Sequence, residues 1–339
     1  REDTGLQLGV AYTALYQSAD NAPTGVEDSA GSGIFRLSGS WELYRSESGA
    51  TGKLVMSADH RHAYTEIPPA DLGFETGYLG IPGLLFNDGG AILGDLNWQQ
   101  SINGGRCGIL LGRYDPNYFL DVMGYAHPWT TYQNLYILSN ASIALPDWGT
   151  GVGIGNWFGE QWYGIGSVSD ANGVASEEKL FEDFGELYST AEIGWSPSRD
   201  RRYLNNIHAT FWHADYREEA NVEESEGVSI GANWTFSDTL MVFFKGGKSE
   251  GSAPLLNDSI TLGGIYYFPY RSDLVGLAVN HGSPSDQSLD DQTTTELFYR
   301  IQFAQNLALT PSIQWISDPA LNPEESEVWY AGLRMRVSY

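Results

Sequence analysis

Hydrophobic and polar positions alternate along this chain. Between Glu327 and the C-terminus, Trp329, Ala331, Leu333, Met335, Val337 and Tyr339 fall on one face. Tyr330, Gly332, Arg334, Arg336 and Ser338 fall on the other. A repeat of two residues is that of a β-strand with one apolar and one polar side. The pattern recurs upstream. Phe35, Leu37, Gly39, Trp41 and Leu43 oppose Arg36, Ser38, Ser40 and Glu42, while Leu54, Met56 and Ala58 oppose Lys53, Ser57 and Asp59. Ile92, Gly94, Leu96 and Trp98 oppose Asp95, Asn97 and Gln99, and Leu297, Tyr299, Ile301 and Phe303 oppose Glu296, Arg300 and Gln302. In several segments the apolar face ends on Trp, Tyr or Phe. That placement suits an apolar band meeting lipid headgroups, whereas the core of a soluble sandwich has no reason for it.

Such segments number about sixteen, an even count as a bacterial transmembrane barrel requires. They are predicted near 5–17, 32–44, 51–61, 89–101, 106–114, 150–157, 162–169, 187–196, 206–216, 226–236, 240–248, 260–268, 273–280, 292–303, 307–317 and 327–339. Counted back from the C-terminus, the links alternate. Short ones fall near Gln305, Arg271, Asp238, Ser198, Gly159, Asn103 and Glu47. Long ones fall near Pro319, Ser285, Pro254, Glu219, Val174, 115–149, 62–88 and Pro23. Short periplasmic turns and long extracellular loops alternate in this way in outer-membrane barrels. The expectation is an all-β, antiparallel transmembrane β-barrel, with residues 1–339 as one domain. The longest link, 115–149, is expected to fold into the lumen as a constriction, the alternative being a surface lid.

Composition narrows the classes. The chain has 339 residues, 43 Asp+Glu against 18 Lys+Arg, and a formal net charge of -25. So acidic a chain is a poor partner for nucleic acid. Acid runs such as EEANVEESE (218–226) and SEEKLFEDFGE (176–186) lie in the long links, as solvated loop charge or as groups sharing divalent cations with lipopolysaccharide. One cysteine excludes a disulfide framework and a thiolate zinc cluster. No apolar run reaches the roughly 20 residues of a membrane helix, and no leader-like segment opens the chain, which reads as a mature form. No strand–turn–helix elbow surrounds a Ser, so an enzyme is not expected. His60 and His62 share a strand face from which Asp59 points away, which argues against a metal site. No cofactor is expected.

Several segments resemble the carbohydrate-selective porins of the OprB type. TELFYRIQFAQNLALTPSIQWISDPALNP (295–323) resembles that family's Glu-x-x-Tyr strand, Pro-x-x-Gln strand and Asn-Pro loop, here Glu296, Tyr299, Pro311, Gln314, Asn322 and Pro323. VWYAGLRMRVSY (328–339) resembles its closing strand, with Tyr339 where the family usually has Phe. GIGSVSDANG (164–173) and GRYDPNYFLD (112–121) resemble its Asp-Ala-Asn strand end and the segment leading into its constriction. The resemblance implies a Gram-negative outer-membrane porin, monomeric or homotrimeric among lipid and lipopolysaccharide, through which small sugars diffuse. A general or differently selective porin for other small polar solutes or ions is the alternative.

A pore that prefers sugars needs charged groups for hydroxyls and aromatic faces for the ring. The expected lining comprises Arg36, Glu42, Asp95, Arg113, Glu296, Arg300 and Arg334 on the wall, with Asp115, Asp121, Trp129 and Tyr132 in the long loop beside Tyr118. Basic wall residues Arg36, Arg113, Arg300 and Arg334 would face Asp115 and Asp121 across the lumen, or pair along the wall and hold it closed.

Overall fold

The computed structural model describes residues 5–124, 127–144, 146–175 and 185–339. Sixteen antiparallel strands close into one barrel, each bonded to its sequence neighbours. They are β1 (Leu6–Ala19), β2 (Ser29–Arg45), β3 (Thr51–Ala63), β4 (Gly90–Ile102), β5 (Cys107–Tyr114), β6 (Gly149–Phe158), β7 (Trp162–Asp170) and β8 (Leu187–Trp195). The second half comprises β9 (Asn205–Ala214), β10 (Ser225–Phe236), β11 (Leu240–Glu250), β12 (Leu256–Phe268), β13 (Asp273–Pro284), β14 (Gln292–Ala304), β15 (Leu307–Ser317) and β16 (Glu327–Ser338). β1 pairs with β16, and Val10 and Tyr339 exchange backbone hydrogen bonds of 3.0 and 2.8 Å. Closure leaves no strand edge unpaired.

The period-2 reading places every strand. Leu37, Ile230, Leu297, Ile313 and Leu333 are exposed on the outside, while their neighbours Arg36, Ser229, Glu296, Ser312 and Arg334 face inward. Ile92 departs from it. The register slips between Met56 and Ala58, which pair with Leu96 and Leu93. Ile92 therefore lies opposite the inward Asp59 and is buried against Trp148. An irregularity of this kind inverts the phase of a strand. The link alternation has two exceptions. The link at 196–204 is not a tight turn, and 251–255 is short. The acidic segment 176–184 lies outside the described residues.

A barrel of this size is too wide for its own side chains to fill. Two long links fill it here. Segment 64–89 carries a short helix α1 (Leu72–Glu75), and 115–148 carries α2 (Leu135–Leu138). Leu72, Tyr78 and Tyr136 pack on Leu256, Ile316, Val328 and Tyr330 of the inner wall. Tyr132 and Ile137 pack on Phe243, Ile265 and Phe298. The apolar core thus lies inside the barrel, between loops and wall. Each large side chain so buried contributes on the order of 1.5–3 kcal/mol.

Where β5 runs into the second of these links, Gly112 has φ +126°, and a Cβ there would lie 2.5 Å from the Leu96 carbonyl oxygen. Gly108 in the same strand meets nothing within 4 Å. Gly112→Ala is expected to destabilise the barrel by about 1–3 kcal/mol. Gly108→Ala should be near neutral; urea unfolding of both variants in detergent micelles checks this.

Candidate constriction site

The site is built from loop backbone and wall charge. Glu296 of β14 is fully buried, and its carboxylate accepts the backbone N–H groups of Gln133 (2.8 and 3.1 Å) and Asn134 (2.9 Å). Arg334 of β16, 1% exposed, donates to the carbonyls of Pro128 (2.8 Å) and Thr131 (2.6 Å). Two side chains of opposite type, from strands separated by β15, thus grip the segment 128–134 through its own backbone. Asn134 adds a bond to Gln314 (2.8 Å) and accepts one from the Tyr78 hydroxyl (3.1 Å). The two loops are also joined directly: the Leu84 N–H donates to the Gln133 carbonyl, and the Leu135 N–H to that of Ile81.

The other end of the loop is held across the barrel. Asp121 is buried between His208 (2.8 Å) and Lys245 (3.3 Å). Burial works to raise the Asp121 carboxyl, but Lys245 and His208 outweigh it and hold it below its ordinary range. The Asp121 N–H donates to Glu192 (2.7 Å), and Lys245 reaches on to the Leu138 carbonyl (2.9 Å).

These contacts revise the expected lining. Glu296 and Arg334 are buried anchors with no open face to a solute, because a charge removed from water needs partners and the loop backbone supplies them. Asp121 borders the cavity between the loops but is held by His208 and Lys245. Arg113, 2% exposed, donates to the carbonyls of Leu93 and Val174. Tyr132 is completely buried, edge-on to Phe298 at 4.8 Å, with its hydroxyl bonded to the Gly264 carbonyl. Glu42 sits beside the turn 46–50, paired with Arg45 (2.7 Å), away from the cluster. The arginines do not pair with Asp115 and Asp121 as expected. Arg36 pairs instead with Asp59 (2.7 Å), which also binds Arg61 (3.0 Å).

A smaller set of groups remains open. The Arg36 guanidinium lies 4.5 Å from the centre of the Trp129 ring, with Arg336 at 5.7 Å from the same ring. Trp129 itself is 4% exposed, so it supports the arginines and offers no free face. Arg336 donates to Thr13 (3.1 Å), and Arg300 bonds Gln302. Among the described residues neither has a carboxylate at ion-pair distance. The positive field is felt by His127 on the loop. Enclosure, then Arg336, Arg36 and Arg334, push its imidazole down to about 4, so it is neutral at physiological pH.

Arg36, Asp95 and Tyr118 line one recess, and Asp115 and Asp147 line the neighbouring cavity, which Tyr118 also borders. Asp115 caps the Asn117 N–H (2.9 Å). Enclosure pushes its carboxyl up to about 7 against the Asn117 hydrogen bonds, with Asp147 and Asp95 adding to the rise. Tyr118, 41% exposed, is the accessible ring common to both spaces. Enclosure pushes its hydroxyl up, and Arg36 draws it back. Among the described residues no His, Cys, Asp or Glu cluster has an arrangement for a metal ion.

The chain matches the profile of the carbohydrate-selective porin, OprB family, over residues 56–339. The high-pH structure of Pseudomonas putida OprB superposes with a TM-score of 0.79 at 13% identity, covering 100% of this chain and 95% of that one. Its low-pH structure gives 0.59, also at 13% identity, covering 100% and 94%. A double mutant of the Rh. blastica porin gives 0.59 at 14% identity, covering 98% and 100%. No significant match to a curated protein was found.

Two outcomes follow from this geometry. Glu296→Ala leaves two buried amides without an acceptor, at a cost of about 1–3 kcal/mol each. The barrel should still show heat-modifiable electrophoretic mobility, but its single-channel conductance should rise as the loop leaves the wall. Asp115 should lose its charge as pH falls through about 7. The reversal potential in a salt gradient should therefore move toward cation preference between about pH 6 and about pH 8, and Asp115→Asn should remove most of that movement.

Proposed function

The chain belongs to the carbohydrate-selective porins of the OprB family, which pass small carbohydrates by diffusion through a water-filled barrel, and on that premise we propose that segment 115–149 is its constriction. Solute groups would meet Arg36, Arg300 and Arg336 on one side and Asp95 and Asp115 on the other, with Tyr118 between them. The observation that carries this reading is the recess where Arg36, Asp95 and the exposed Tyr118 ring meet. Hydroxyls both donate and accept, so a polyol can bridge guanidinium and carboxylate at once. The accessible ring covers the less polar sugar face. Weak, wet contacts of this kind allow release as well as capture.

The rest of the setting is proposed in keeping with the family. The barrel would lie in a bacterial outer membrane with the long links outward, as a monomer or homotrimer among lipid and lipopolysaccharide. The acidic links, Glu218 to Glu226 among them, would share divalent cations with lipopolysaccharide diffusely at the rim. Transport here is passive, with no resident cofactor and no chemical step.

Planar-bilayer conductance titrated with sugars tests the reading. Sugar should reduce the current in a saturable way, with amino acids and dicarboxylates as controls. Tyr118→Ala and Arg336→Gln should each weaken the block by roughly 3- to 10-fold, the loss expected for one hydrogen-bonding or ring contact in a wet site. Equal block by sugars and by the controls would reduce the protein to a general pore.

A further inference from the structure

The polar strip continues into a space of different character. A cavity of about 610 Å³ lies between the two inward loops and the link 251–255. It shares Asp115, Tyr118 and His127 with the constriction. Its far wall is aliphatic: Ile81, Leu84 and Leu85 from one loop, Leu135 and Leu138 from the other, and Leu255. All six are half-buried, so part of each side chain faces the cavity. Among the described residues, Ile81 and Leu84 join none of the buried clusters.

The apolar clusters between loops and wall are closed against water, whereas this aliphatic wall borders open space. A polyol alone gains nothing from it. Leu85 adds a second observation. Its φ is +74°, a left-handed conformation that a bulky residue adopts only when its surroundings impose it. Those surroundings are Leu15, Ile34, Phe86 and Trp129, the last being the ring that carries Arg36 and Arg336. The aliphatic wall and the arginine strip are thus built on one support.

We infer that the cavity is a subsite for the apolar aglycone of a glycoside, whose sugar lies at the arginine strip. The solutes favoured over free sugars are then aromatic or alkyl glycosides, whose two ends match the two walls. The inference rests on the sugar-binding reading of the constriction. The volume suits a ligand with a phenyl-sized group.

The test compares block of the reconstituted full chain by methyl β-D-glucopyranoside and by 4-nitrophenyl β-D-glucopyranoside. The aryl glucoside should block at about tenfold lower concentration, because its ring leaves water on entering the cavity. In Ile81→Ser and Leu84→Ser, checked for folding by heat-modifiable mobility, that ratio should fall several-fold while block by the methyl glucoside stays unchanged. Equal block by both glucosides in the unaltered protein, or a ratio unmoved by both substitutions, would overturn the inference and leave the constriction reading intact. Absence of block by either glucoside would overturn both.

Discussion

The interior depends on the grip of two buried charges on a loop backbone. A loop folded into a barrel carries amides and carbonyls that water no longer satisfies, and each left unpaired costs a substantial part of the net stability. Glu296 takes amides and Arg334 takes carbonyls from the same short stretch, 128–134. Placed on β14 and β16, they grip one loop from two directions. Removing either leaves both a buried charge and a set of backbone groups uncompensated, so the pair acts as a structural unit.

This division of labour decides what the lumen has left for solutes. Inward-facing charges fall into two groups. Glu296, Arg334, Arg113 and Asp121 are occupied by loop backbone or by buried partners. Arg300 and Arg336 have no carboxylate partner among the described residues, and Arg36, paired with Asp59, shares the Trp129 ring with Arg336. The aromatic belongs to the support as much as the backbone does. Its ring is attracted to both guanidinium groups, which offsets part of their mutual repulsion.

The strands were legible because a two-residue period reports which side of a sheet a residue occupies. All sixteen appear, and the exceptions have local causes, such as the register slip that turns Ile92 inward. The site was legible only in part. Period tells face, but not what covers that face. Arg334 and Arg36 read identically along their strands, yet one is sealed by Pro128 and Thr131 while the other borders the lumen. Tyr132 reads as a stacking ring and is a core residue against Phe298. Segment 64–89 carried no periodic signal at all. Tyr78, Phe86 and Leu72 bury it inside the barrel through contacts distant in sequence, such as Thr294 with the Tyr78 hydroxyl.

That second loop changes how the passage must be understood. Backbone bonds from Leu84 to Gln133 and from Leu135 to Ile81 tie it to the gripped stretch, while Gln17 and Gln314 hold its Pro82 carbonyl from the wall at 2.9 and 2.7 Å. Leu85, on the same loop, packs against Trp129. A shift of segment 64–89 would therefore move the support of Arg36 and Arg336 without touching either arginine. The passage is bounded by two loops fastened to each other, and its width and its charge are set together.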